Sequence, residues 1–139
     1  MTRPVLLDTH VWVWLMLGDQ RLGAANRRML EKAIPDARLR VSVISVWEVA
    51  MLEAKGRLTL AADCESWVQE ALAAPGIRLA DITPRIAISS TRLPGAFRGD
   101  PADRMLIATA RESGASLLTA DRAILKYGSE GHVHAVRAE

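Results

Sequence analysis

The sequence predicts an α/β fold: a central parallel sheet with helices on both faces, in three layers, α/β/α. Two observations carry this. Short, unbroken apolar runs such as Val5-Leu6-Leu7 and Ser116-Leu117-Leu118 alternate with longer segments of helical period. Unbroken rather than alternating apolar runs belong to strands buried on both faces. The length agrees: 139 residues, half of them hydrophobic, make one domain over 1–139 with a proper core, and too little for two.

Taken in order, residues 5–7 form the first strand, with Asp8 directly after it. Residues 11–17 read as a helix that stops at Gly18. That helix carries no polar face, so it must be buried on more than one side, which in so small a fold points to an interface. Residues 24–33 form a second helix, exposing Arg27, Arg28, Glu31 and Lys32. Residues 39–43 are a second strand, and Ser45 opens the next helix, which runs to about Lys55. A helix over about 62–73 precedes Pro75-Gly76 and a strand at 77–79. Pro84 begins a helix ending before Pro94-Gly95, and Pro101 begins the longest well-marked one, ending at Gly114. Residues 116–118 are a strand, Asp121 starts a short helix, and 132–136 is the last strand. There is no repeat or linker.

Composition narrows the classes. Eighteen basic against 16 acidic residues leave a net charge of +2, which permits nucleic-acid binding only if the charges are segregated. Cys64 is the single cysteine, so neither an internal disulfide nor a zinc knuckle is available, and a buried, inert thiol is expected. The first residues lack the length and cleavage site of a signal peptide, and no segment is apolar enough to span a bilayer. A cytoplasmic protein without membrane contact is expected.

The informative feature is where the carboxylates fall. Asp8 follows the first strand, Glu48 lies in the first turn after the second, and Asp121 comes three residues after Leu118. Asp100 and Asp103 flank the start of the long helix. Open parallel sheets form their ligand sites at the carboxyl ends of strands, beside helix N-termini. Each acid also has an ordinary explanation. Ser45-Val46-Trp47-Glu48 fits a capping box, Asp100-Pro101-Ala102-Asp103 fits N-cap, N1 and N3 chemistry, and Asp8 and Asp121 fit simple caps. Capping alone does not require carboxylates at every helix start along one edge. If they converge, their repulsion needs protons, basic partners or a divalent cation. Hard oxygen donors without Cys, and without a compact His set, suit Mg²⁺ or Mn²⁺ rather than zinc. Such a site suits phosphodiester hydrolysis.

The runs Leu6-Leu7-Asp8-Thr9-His10-Val11-Trp12, Ser42-Val43-Ile44-Ser45-Val46-Trp47-Glu48, Asp100-Pro101-Ala102-Asp103-Arg104 and Leu118-Thr119-Ala120-Asp121 resemble the PIN-domain ribonucleases. The resemblance is greatest to VapC-type toxins of bacterial toxin–antitoxin pairs, and it covers nearly the whole chain in order. It implies a PIN-like fold and a metal-dependent endoribonuclease with Asp8, Glu48, Asp103 and Asp121 as its acidic quartet. Asp8 and Asp103 would be the firmest metal ligands, Asp100 an auxiliary one, and Thr119 a hydroxyl partner for a carboxylate. It further implies an RNA substrate, a cognate antitoxin and a homodimer.

Arg98, Arg104 and Arg122 stand near the acids and are candidates to attract RNA, with Arg27, Arg28, Arg38 and Arg40 further away; Arg104 is also placed to hold a carboxylate. His10 reads as a surface or supporting residue, and His132 and His134, alternating on the last strand, as structural. Trp12, Trp14, Trp47 and Trp67 read as packing residues whose indole N–H groups need partners. A receiver-like signalling module is disfavoured, because Asp8 stands alone after its strand and no Lys follows the last one. A phosphatase with Asp-x-Asp fails because His10 takes the second position. A PIN nuclease of RNA maturation differs from a toxin in substrate and partner, which these residues do not separate.

Overall fold

The computed structural model describes residues 3–139. Five strands, β1 (Val5–Leu7), β2 (Leu39–Ser42), β3 (Ile77–Ala80), β4 (Ser116–Thr119) and β5 (Ala135–Arg137), form one sheet in the order β3-β2-β1-β4-β5. Every pairing is parallel, and β1 is central, with Val5 opposite both Leu39 and Ser116. Seven helices connect them: α1 (Thr9–Leu17), α2 (Ala24–Ala33), α3 (Val43–Ala54), α4 (Cys64–Leu72), α5 (Pro84–Ser90), α6 (Pro101–Ser113) and α7 (Arg122–Ser129).

Strand side chains alternate between faces, so the central strands feed two cores. Val5 and Leu7 of β1 join Leu39, Val41 and Leu118 under α1, α2 and α4, where Trp12 and Trp67 meet edge to face at 5.2 Å. Leu6 and Leu117 point the other way, into a core with Leu106 and Ile107 of α6 and Ile124 and Tyr127 of α7. The three-layer arrangement is thus the direct result of burying both faces of β1 and β4. The chain leaves β1 towards β2 and β3, then returns to the opposite side as β4. Its order therefore reverses at β1 and β4, where a parallel sheet opens a crevice at its carboxyl edge.

Several sequence expectations change. The helix after β2 begins at Val43, two residues earlier than expected, because Ser42 rather than Ser45 is the cap and accepts the Ile44 N–H at 3.0 Å. Ser45 is buried inside the helix, and Glu48 lies in its second turn, so no capping box forms there. The last strand begins at Ala135, leaving both histidines ahead of it with separate partners. His132 stacks on Tyr127 with centroids 4.6 Å apart, and His134 Nδ1 lies 2.7 Å from Ser116 Oγ. Their structural reading stands, without a shared face.

The apolar helix α1 is largely covered by the chain itself: residues 11–14 are buried, and Leu17 is its exposed apolar residue. Trp47 is 56% exposed rather than packed. The buried Trp12 Nε1 finds no partner. Cys64, the first residue of α4, is partly exposed and not a core thiol. Among the described residues no helix is long and apolar enough to cross a membrane.

Candidate active site

Three of the candidate acids cap helices. Asp8 caps α1, taking the Thr9 N–H at 2.7 Å. Asp100 caps α6, taking the Asp103 N–H at 2.8 Å, and Asp121 caps α7, taking the Ile124 N–H at 3.0 Å. The ordinary explanation therefore holds for these three. It does not exhaust them. Asp8, Glu48, Asp100, Asp103 and Asp121 all line one cleft of about 320 Å³, together with His10, Trp14, Ala120 and Glu139. A carboxylate can cap with one oxygen and face the cleft with the other.

The backbone explains the convergence. Asp8 and Asp121 follow β1 and β4, the strands flanking the reversal of sheet order, and the Asp8 N–H is held by the Leu118 carbonyl at 3.0 Å. Glu48 and Asp103 arrive on α3 and α6, two helices that pack against each other. At the centre sits Thr119, fully buried, which donates its hydroxyl to Asp8 Oδ2 at 2.6 Å. Thr119 Oγ1 in turn accepts the Asp121 N–H at 3.0 Å, so one hydroxyl ties two acids together. Thr9 does this for Glu48: its hydroxyl donates to Oε1 at 2.5 Å and lies 2.8 Å from Ser45 Oγ. Thr9 and Ser45 were not singled out by the sequence pattern, since Ser45 read there as a cap. Nor was Glu139, for which local sequence carries no signal.

The electrostatics record crowding. Burial pushes the Asp8 carboxyl above its ordinary value, opposed by the bonds from Thr119 and Thr9, and the Asp121 charge adds to the rise. Glu48 is raised mainly by burial, then by Asp8 and Asp100, against the Thr9 hydrogen bond. Asp103 rises most, to about 7, from burial first and then from Asp100, Asp8, Asp121 and Glu48 in turn. Asp103 accordingly feels all four other acids at once.

The expected cationic partners behave differently. Arg104 holds no carboxylate: it donates to the carbonyls of Ser90 and Phe97, both at 2.8 Å, bracing the loop before α6. Arg27, Arg38 and Arg40 likewise bond to nearby backbone carbonyls. Arg98 and Arg122 remain exposed near the cleft, as does His10.

Among the described residues, no group of three or more His, Cys, Asp or Glu side chains is already drawn tightly enough to hold a metal ion. The donor chemistry nevertheless fits a hard divalent cation, because six carboxylates, Glu139 among them, face one cleft with a single imidazole and no thiol. Among the described ion pairs, none neutralises these acids.

The chain is similar to known proteins in sequence and in fold. Residues 5–130 match the PIN domain family. The chain is 42% identical over 118 residues to "Ribonuclease VapC22" of Mycobacterium tuberculosis, covering 85% of this chain and 87% of that protein. In structure it resembles the DNA-bound VapBC of Salmonella typhimurium, with a TM-score of 0.73 and 13% identity over 99% of this chain and 100% of that one. A toxin–antitoxin complex from Klebsiella pneumoniae matches with a TM-score of 0.58 and 20% identity, over 84% and 86% of the two chains. With the family match spanning the acid-bearing strands and helices, and a relative this similar over most of its length, the chain belongs to the PIN-domain family.

Proposed function

We propose that this PIN domain is a metal-dependent endoribonuclease that acts as the toxin of a toxin–antitoxin pair. The observation that carries the nuclease reading is the gathering of Asp8, Glu48, Asp100, Asp103 and Asp121, from four separate stretches of chain, around one cleft. The ribonuclease name of its 42%-identical relative supports the substrate class. The toxin–antitoxin complexes among its structural neighbours support a cognate antitoxin as partner. Apolar surface left at Leu17, Trp47, Leu79 and Ile88 is available to that partner or to a second copy of the chain. A working place in the cytoplasm follows from these partners.

In this reading Asp8 and Asp103 are the principal ligands of Mg²⁺ or Mn²⁺, with Glu48 and Asp121 completing the set and Asp100 auxiliary. When bound, the cation neutralises the carboxylates, offsets charge on the phosphoryl group and makes water a stronger nucleophile. The chain's own groups fix the geometry. Thr119 sets the Asp8 rotamer and the Asp121 backbone together, and Thr9 with Ser45 aims Glu48. Because a bound cation would supply an activated water, the RNA 2′-hydroxyl need not react. Water is then the nucleophile, and products carry 5′-phosphate and 3′-hydroxyl ends.

Total RNA incubated with the protein in Mg²⁺, Mn²⁺ or EDTA tests this. Discrete fragments with 5′-phosphates, abolished by EDTA, are expected; 2′,3′-cyclic phosphate ends would contradict the scheme. Thr119→Val keeps the shape and removes the hydroxyl. It should cost roughly 10–100-fold in metal affinity and cleavage. Full metal affinity in this variant would show that the hydroxyl does not organise the acids.

A further inference from the structure

A second cavity, of about 350 Å³, lies between the loop before α6 and the side of α7. Phe97 and Arg98 line it from the loop, and Ala123, Lys126 and Tyr127 from the helix, with Glu130 also facing it. We propose that this pocket seats one nucleotide of the RNA strand beside the cleaved bond, with Arg98 and Lys126 as its phosphate contacts. The inference rests on the ribonuclease reading and adds the place where substrate is held.

The pocket is built from two pieces of chain that also contribute to the acid cleft. Arg98 stands two residues before Asp100, and Ala123 and Lys126 lie three residues apart on the helix that Asp121 caps. Gly99 joins the two sites: a Cβ there would collide with the Phe97 ring and come within 3.3 Å of Asp103 Cβ. The turn carrying Arg98 is therefore folded against the helix carrying Asp103. The floor is rigid, since Phe97 and Tyr127 meet edge to face at 5.2 Å and the Tyr127 hydroxyl donates to the Pro94 carbonyl.

The charge pattern selects the ligand. Arg98 and Lys126 are exposed, and the ion pairs among the described residues are made by Arg21, Arg38 and Arg85, so both cations are free. A negative cleft repels RNA, and affinity must come from cations beside it. The cavity is at the small end of the range for small-molecule sites, roughly 300–1,000 Å³, and suits a nucleotide unit rather than a folded partner. Its alanine and aromatic walls offer an apolar face to a base or ribose. Glu130 offers an acceptor for a 2′-hydroxyl or base N–H.

The test measures kcat and KM for RNA cleavage by the full chain in Mg²⁺, for wild type, Arg98→Ala/Lys126→Ala and Lys126→Arg. Binding of a short single-stranded RNA is followed against salt, and thermal melting checks the fold. The double variant should raise KM about tenfold with kcat within about twofold, and its binding should depend on salt less steeply by ~0.7 per lost contact. Lys126→Arg should stay near wild type. Unchanged KM and salt slope in the double variant, or a fall in kcat alone, overturns the pocket while wild-type cleavage stands. No cleavage by wild type with any divalent metal instead overturns the ribonuclease reading itself.

Discussion

Asp8→Asn is expected to lower RNA cleavage by about 10³-fold while leaving the protein as stable as before, or more so. Asp8 is only 9% exposed, with one oxygen taken by the Thr9 N–H and the other by the Thr119 hydroxyl. No described basic side chain pairs with it. A buried carboxylate in that position is a cost to the fold, visible in its raised pKa. Asparagine retains the carbonyl oxygen that caps α1, and Thr119 can turn its hydroxyl to accept from the new amide. What disappears is the negative charge, which a cation needs and the fold does not. Comparing kcat/KM with the melting temperature of the metal-free protein separates the two effects. Activity lost in step with stability would mean that Asp8 is a cap and nothing more. In cells, expression of wild type should arrest growth and Asp8→Asn should not; equal inhibition would refute toxicity by cleavage.

The second large effect concerns Asp103 and pH. Its carboxyl is raised to about 7, against about 4 in an unfolded chain, so the folded, metal-free protein holds a proton there that the unfolded chain has released. That difference favours folding below pH 4 and is lost as pH rises towards 7. Above it, the ionised Asp103 faces four other acids. Metal-free Asp103→Asn should therefore melt higher than wild type at pH 8, with the gain gone near pH 4. Because the side chain is half-exposed, solvent screening reduces the gain to on the order of 1–2 kcal/mol. Mg²⁺ should raise the wild-type melting temperature at pH 8 and do little for the variant. Binding should release a proton near pH 6, which calorimetry in buffers of different ionisation enthalpy would detect. A wild type whose metal-free stability is flat between pH 4 and 8 would remove Asp103 from the crowded cluster.

The strands and most helices were legible because their signals are local. Unbroken apolar triplets such as Val5-Leu6-Leu7 have one plausible setting, and Pro101 and Gly114 bracket α6 by backbone chemistry alone. Errors arose where two local signals competed. Ser42 and Ser45 both offer a cap, and the choice fell to Ser42 because β2 pairs with β3 up to that residue. The run at 11–17 read as buried on more than one side, and residues 11–14 are buried, with Trp12 against Trp67 of α4. Trp47 read as packing, though its side chain is mostly exposed.

The sequence alone determined the kinds of residue available: an all-parallel sheet, five carboxylates at helix starts and turns, hard donors without thiols, and the motifs of a PIN domain. It left open, for every acid, whether capping was its whole role. Only the tertiary structure decided that, because reversal of the sheet order at β1 and β4 places residues from positions 8, 48, 103 and 121 around a single cleft. It also decided which hydroxyls serve which acids, and that Arg104 braces a loop while Arg98 and Lys126 stay free. Spacing along a chain sets which face of an element a side chain occupies; which faces meet depends on burying both sides of the sheet at once.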